Sequence, residues 1–269
     1  MDKIKESCLN MTKMIIDICE KHNLRYYMLG GTFLGAVRHK GFIPWDDDVD
    51  LGMPRPDYEK FLEIAKMEID ERYKITNFIS GGSNQYFTQV LDLKTKIKMT
   101  ANLNAYDYNV WLDIFPLDGM PNNSLLRKMH KYKLLYRKML IQFSDFENRI
   151  NLKVINRPLH ERILIKIAIK TKIGKLLNTQ KCLLKIDKTL KKYNYDSCDY
   201  VVNFFGAYKF KEMFPKSYYG NGKLYKFEDI EMVGAEDYDK ILTQMYGDYM
   251  KLPPENERGV HHSFEVIDL

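Results

Sequence analysis

The chain has 269 residues, 45% hydrophobic and 13% aromatic, with 42 Lys+Arg against 36 Asp+Glu and a net charge of +6. That composition excludes wholesale disorder, and 15 Gly with 9 Pro excludes collagen-like and low-complexity classes. Residues 125–192 hold 19 Lys/Arg against 4 Asp/Glu, leaving 23 against 32 elsewhere, so a basic segment is set in an acidic protein.

The N-terminus predicts an amphipathic helix, because Ile4, Cys8, Met11, Ile15 and Ile18 recur at steps of three and four among charged residues. Charges run through it, which is unlike a signal peptide, and no apolar run approaches the ~20 residues that span a bilayer. Arg25 to Leu29 reads as a buried strand stopping at a Gly30-Gly31 turn, with Thr32 capping a helix to Arg38. Val49–Met53 reads as a strand and Asp57–Met67 as a helix. Further strands are expected at Tyr73–Phe78, Tyr86–Leu93 and Val110–Phe115. Ser124–Tyr193 has helical texture, followed by strands at Tyr200–Phe205 and Lys223–Phe227 and a helix at Ala235–Tyr249. The fold class is therefore α+β, a small mixed sheet with flanking helices and a helical insertion. Residues 1–123 form the expected core, 124–193 the basic helical region, and 194–269 the strands and helix that complete the site. Four dispersed cysteines, Cys8, Cys19, Cys182 and Cys198, match no zinc site or disulfide framework and read as reduced thiols of a cytoplasmic protein.

The densest chemical signal is Leu29-Gly30-Gly31-Thr32-Phe33-Leu34-Gly35-Ala36-Val37-Arg38-His39-Lys40-Gly41, running on through Phe42-Ile43-Pro44-Trp45-Asp46-Asp47-Asp48-Val49-Asp50-Leu51. Four carboxylates in five positions repel one another and require counter-charge. Asp48 and Asp50 alternate with Val49 and Leu51, so on a strand both acids share a face opposite the apolar pair. Two such oxygens, completed by water and phosphate, suit Mg²⁺ or Mn²⁺. Upstream, Gly30, Gly31 and Thr32 open a helix where an anion can approach backbone N–H groups, and Arg38 and Lys40 add positive charge. A phosphate turn and a paired-carboxylate metal site together point to phosphoryl or nucleotidyl transfer. A calcium-binding EF-hand loop is a poor alternative, since Leu51 stands where it needs Gly, Asp57 where it needs Glu, and Pro54 and Pro56 interrupt it. Asp113, an acid in the apolar run Val110–Phe115, is a further ligand candidate, because a buried carboxylate needs a metal or a partner.

These motifs, together with Met53-Pro54-Arg55-Pro56-Asp57-Tyr58, Leu112-Asp113-Ile114-Phe115-Pro116-Leu117-Asp118 and the tail from Tyr246 to His262, resemble the LicD family of phosphocholine transferases, kin to the fukutin-related ribitol-phosphate transferases. The resemblance implies a nucleotidyltransferase-like fold that moves a phospho-alcohol, often phosphocholine, from a CDP-activated donor to a glycan hydroxyl with release of CMP. It maps Asp48, Asp50 and Asp113 onto the catalytic, metal-holding acids and Gly30 and Gly31 onto the phosphate turn. It also draws in Arg258, His261 and His262 as candidates for the donor phosphate or cytidine side. Asp46 and Asp47 are expected to support the metal site or pair with Arg38 and Lys40. Trp45, Tyr106, Tyr108 and Trp111 are the aromatics nearest the motifs for a quaternary ammonium.

The run 158–177 has Arg162, Lys166 and Lys170 in an i, i+4 row beside a broad Ile/Leu face. It reads either as an ordinary packed helix or as one lying on the anionic inner membrane face near a lipid-linked glycan. Two other functions are compatible with parts of the chain: a nucleotidyltransferase moving NMP to a small molecule or RNA, and a nucleic-acid-binding protein using residues 125–192. The second leaves the Gly and Asp motifs without a purpose.

Overall fold

The computed structural model describes residues 2–81, 83–100, 105–145, 173–255, 258–259 and 264–269. Helix α1 (Lys3–His22) opens on Asp2, whose carboxylate accepts from Ile4 N–H, and closes on Asn23 in the left-handed conformation (φ 52°), whose N–H returns to the carbonyls of Cys19 and Glu20. Its predicted stripe is buried throughout: Ile4, Cys8, Met11, Ile15 and Ile18. The chain continues as β1 (Tyr27–Met28), α2 (Gly30–Arg38), β2 (Asp50–Pro54), α3 (Arg55–Glu68), β3 (Tyr73–Thr76), β4 (Thr88–Asp92), β5 (Lys96–Met99), β6 (Tyr106–Tyr108), β7 (Trp111–Met120) and α4 (Ser124–Ser144). After the described residues resume come α5 (Thr179–Leu190), β8 (Tyr200–Val202), β9 (Met213–Pro215), β10 (Lys223–Phe227), β11 (Ile230–Gly234), α6 (Tyr238–Tyr246) and β12 (Phe264–Asp268). The α+β class is as expected.

The main sheet runs β1-β2-β7-β4-β3, with β8 and β9 continuing from β7. Its ladders are antiparallel except β2 with β7, which is parallel. The core lies where α1 and α3 pack on each other and on β7. Strand β7 runs past Pro116 to Met120, beyond the end at Phe115 that the sequence suggested. At Pro116 the ladder with β4 has already ended at Ile114 and that with β8 begins only at Asp118, so the missing proline N–H breaks no pairing on the side away from β2.

A second apolar cluster joins α4 and α5 to the end of β7 through Met120, Leu134, Ile141, Leu183, Ile186, Leu190, Val202 and Phe204. Beneath it runs a buried polar network. Arg55 donates through Nε and Nη2 to the two carboxylate oxygens of Asp118, each at 2.7 Å, and through Nη2 to the Tyr86 hydroxyl at 2.8 Å. That hydroxyl in turn donates to Asp187 on α5 at 2.8 Å. The expected amphipathic helix over 158–177 lies outside the described residues as far as 172, and its end, Ile173–Leu176, is a 3₁₀ turn.

Several boundaries differ from the sequence reading for local reasons. Helix α2 starts at Gly30 with Leu29 in the capping position, so Thr32 lies inside its first turn and is not the cap. The strand expected at Tyr200–Phe205 stops at Val202, where Asn203 begins a tight loop. The last helix is shorter than expected, starting at Tyr238 and ending at Gly247 with φ 72°. The strand β12 had no counterpart in the sequence reading; it pairs with β5, which also pairs β6.

Candidate active site

Strand alternation builds the site. In the parallel ladder Asp50 stands opposite Asp113, and Leu51 opposite Ile114. Leu51, Leu112 and Ile114 are fully buried, as is Val49, so the apolar residues of β2 and β7 hold one face in the core and aim Asp50 and Asp113 at the other. Strand β2 begins at Asp50, one residue later than the sequence suggested, so Asp48 joins the acids from the segment just before the strand, where the Val49 carbonyl accepts from Asp113 N–H. Oxygens of Asp48, Asp50 and Asp113 lie within 4.8 Å of one another, and Asp46, Asp47 and Asp48 form a second such group sharing Asp48. Asp113 is held from its other neighbouring strand: Gln89, its partner on β4, donates Nε2–H to Oδ1 at 3.0 Å, and the Tyr108 hydroxyl donates to Gln89 Oε1 at 2.7 Å.

The start of β2 is tied to the start of α2. Leu29 N–H donates to the Asp50 carbonyl at 3.0 Å, and Asp50 N–H donates to the Thr32 hydroxyl at 2.9 Å. Gly30 has φ +49°, and a Cβ there would sit 3.2 Å from Asp50 Oδ2; a Cβ on Gly31 would overlap the Asp46 carboxylate. The N-terminus of α2, with its positive dipole end, therefore already faces protein carboxylates. The glycines are required for that close approach.

Burial first, then the charges of Asp48, Asp113, Asp46 and Glu212, push the Asp50 carboxyl well above the usual carboxylate range. Three such oxygens on one face, at mutual distances a single ion can bridge, fit a hard divalent cation such as Mg²⁺ or Mn²⁺.

The acids open into a cavity of about 510 Å³ that is also lined by Gly30, Gly31, Arg38, Trp45, Phe115, Tyr208, Glu212 and Tyr246. Arg38 reaches it with Nη1 donating to the Tyr249 carbonyl at 2.7 Å. Other expected residues fall elsewhere. Lys40 has φ 63° and donates Nζ–H to the Val37 carbonyl at 3.1 Å on the exposed side. Thr32 is buried behind the lining. Arg258 stands behind Trp45, its guanidinium 5.5 Å from the ring centroid and its Nε–H donating to the Pro253 carbonyl. His261 and His262 lie outside the described residues. Of the four aromatics singled out from the sequence, Trp45 lines the cavity and Tyr108 acts on Asp113 through Gln89.

The opposite wall was not anticipated. It is a loop from Asn203 to Glu212 in which Glu212 accepts from Asn203 Nδ2 at 2.7 Å and Tyr208 N–H at 2.9 Å, while Asn203 Oδ1 accepts from Gly206 N–H. Burial raises the Glu212 carboxyl to about 7 against the lowering effect of those donors. Tyr208 and Tyr246 meet edge to face at 5.9 Å beside it. No regular spacing marks this loop; only Tyr246 belonged to a motif noted in the sequence.

Residues 23–118 match the model of the LicD/FKTN/FKRP nucleotidyltransferase domain. The chain is also 31% identical to the lipopolysaccharide cholinephosphotransferase LicD of Haemophilus influenzae over 97% of its own length and 96% of that protein's. The chain belongs to the LicD family. Another similar protein is the ribitol 5-phosphate transferase FKRP of Homo sapiens, 38% identical over 22% of this chain and 13% of that one. An uncharacterised Rickettsia typhi protein is 41% identical over 26% of this chain and 22% of its own. The LicD-family domain match contains Asp48, Asp50, Asp113 and both glycines, whereas the wall made by Asn203–Glu212 and Tyr246 comes from the chain beyond it.

Proposed function

We propose that this LicD-family chain transfers a phospho-alcohol, phosphocholine foremost, from a CDP-activated donor to a hydroxyl of a cell-surface glycan, releasing CMP. The observation that carries the reading is the Asp48, Asp50 and Asp113 group at the mouth of the α2 N-terminus within one cavity. Kinship with a cholinephosphotransferase and a ribitol 5-phosphate transferase supports the class of group moved.

Asp48, Asp50 and Asp113 would hold a divalent cation, which would supply charge neutralisation for the donor pyrophosphate. In this reading Arg38, which lines the cavity, orients the phosphates together with any N–H groups at the start of α2 that the Asp46 and Asp50 carboxylates leave accessible. Trp45, Tyr208 and Tyr246 offer ring faces to a quaternary ammonium, each contact worth roughly 0.5–2 kcal/mol. The acceptor hydroxyl has to lose its proton, and a carboxylate lining this cavity receives it: one of the Asp group, or Glu212 on the opposite wall, whose position near neutrality suits a general base. Four free, buried cysteines are in keeping with a reducing cytoplasmic compartment, and no helix among the described residues is long and apolar enough to cross a membrane. A lipid-linked glycan at the inner membrane face is the acceptor we favour.

The test is product analysis with CDP-choline labelled in the choline or in the cytidine. Label from choline on the glycan, with free CMP, is expected and is abolished by Asp48→Asn. Cytidine label on the acceptor would instead make the protein a nucleotidyltransferase.

A further inference from the structure

Helix α4 is apolar on both sides. Inward it buries His130, Leu134 and Ile141. On the opposite side Leu125, Met129, Tyr132, Tyr136 and Met139 follow one another at steps of four and three, forming a single stripe whose members are between 41% and 66% exposed. A contiguous exposed stripe of this kind marks an interaction surface. Its charge says what for. The 21 residues of α4 contain six Lys/Arg and no Asp or Glu. Three of the six are turned inward onto rings: Arg127 on Tyr200 at 4.0 Å, Lys131 on Phe210 at 5.2 Å and Lys138 on Phe205 at 4.9 Å. Lys128 and Lys133 are exposed at the two margins of the stripe. An apolar stripe with tyrosines, bordered by lysines and lacking any acid, fits a surface that is apolar inside and anionic at its rim.

We propose that α4 docks on a bilayer containing acidic phospholipid, lying in the plane of the interface with the Leu125–Met139 stripe among the upper acyl chains and Lys128 and Lys133 at the headgroups. The placement serves the site described above. Lys138 donates to the Phe204 carbonyl at 3.3 Å, at the start of the loop that carries Tyr208 and Glu212. The docked face therefore lies about one helix diameter, ~10 Å, behind that cavity wall. Docking rests on α4 alone and stands whether or not phosphocholine is the group moved.

The full chain is sedimented with vesicles of phosphatidylglycerol and phosphatidylcholine, and with phosphatidylcholine vesicles alone. Binding to the mixed vesicles is expected, weakening as salt rises. Met129→Glu/Tyr136→Glu is expected to lower partitioning at least about tenfold, and Lys128→Gln/Lys133→Gln by about fivefold for each lysine. Melting temperatures should stay at the wild-type value, since these side chains face outward. Three outcomes overturn the proposal: equal partitioning onto both vesicle types, wild-type partitioning by both variants, or a dimer in solution that the Glu pair dissociates while vesicles bind neither protein.

Discussion

Asp50 and Asp113 stand directly opposite each other in the parallel ladder of the main sheet, each pointing away from the core that Leu51 and Ile114 hold. Two acids so placed, Asp113 buried and Asp50 partly so, repel each other, and desolvation adds to the cost of ionising Asp50. Replacing either by Asn removes a charge without changing shape. Asp50→Asn and Asp113→Asn should each lower transferase activity at least about 100-fold. In chelator, each should melt no lower than wild type, and the rise in melting temperature that Mg²⁺ or Mn²⁺ gives the wild type should shrink. A variant that melts well below wild type in chelator would show that the negative charge itself is matched by protein partners, beyond the Gln89 bond that the amide oxygen of Asp113→Asn could still accept, and would argue against a cation role.

The Arg55–Asp118 pair predicts a different phenotype. Both side chains are buried, and the two-pronged bond is extended by Tyr86 to Asp187 on α5. Removing Asp118 takes away both of its charge-assisted bonds and leaves the buried guanidinium to Asp187, whose Oδ1 is already 3.6 Å from Nη1; breaking a buried pair costs about 3–5 kcal/mol. Asp118→Ala should lose stability of that order in urea unfolding while keeping substrate affinity at low temperature. A loss below about 1 kcal/mol would mean that water or Asp187 takes over the guanidinium.

Glu212 makes a pH prediction. Its folded pKa of about 7 lies above its ordinary value of 4.5, so the folded state favours the protonated form. That contribution to stability is complete below pH 4.5 and is lost as pH rises through 7. Glu212→Gln should flatten this part of the stability profile, leaving the variant relatively more stable than wild type at pH 8. If Glu212 is also the base, Gln should lower the rate about 100-fold or more and abolish the acidic limb of the rate profile near pH 7. A rate loss with that limb intact would make it a positioning residue for the Asn203–Glu212 loop.

Much of the site was legible because strand alternation is a strong signal: Leu51 and Met53 fix the face to which Asp50 points, and Asp113 stands out as an acid among Leu112, Ile114 and Phe115, whereas Asp48 lies just before the strand, where the run of acids and not alternation marks it. Neighbours in sequence were a weaker guide. Lys40 is two residues from Arg38, yet α2 ends between them and the left-handed turn at Lys40 sends its side chain to the outer surface. Thr32 looked like a helix cap or a phosphate ligand, whereas its hydroxyl accepts from Asp50 N–H, because the helix begins two residues earlier. Glu212 and Tyr208 could not be found from pattern at all. They reach the cavity through an irregular loop whose shape depends on Asn203, Gly206 and the buried carboxylate closing on one another. The pairing of β12 with β5 joins residues far apart in the chain and carries no local periodicity for a sequence reading to detect.

The parallel pairing of β2 with β7 also sets an order of assembly. Antiparallel neighbours can meet through a short turn, but these two strands enclose a loop of about sixty residues, whose closure entropy has to be met before the pairing returns any contact. Helix α3 and strands β3 and β4 lie within that loop. Asp50 and Asp113 therefore meet only when that loop has closed. In a growing chain Asp48 and Asp50 stay without the third acid of the proposed cation group until β7 has been made and has paired, so truncations ending before β7 should lack whatever cation affinity the full chain has.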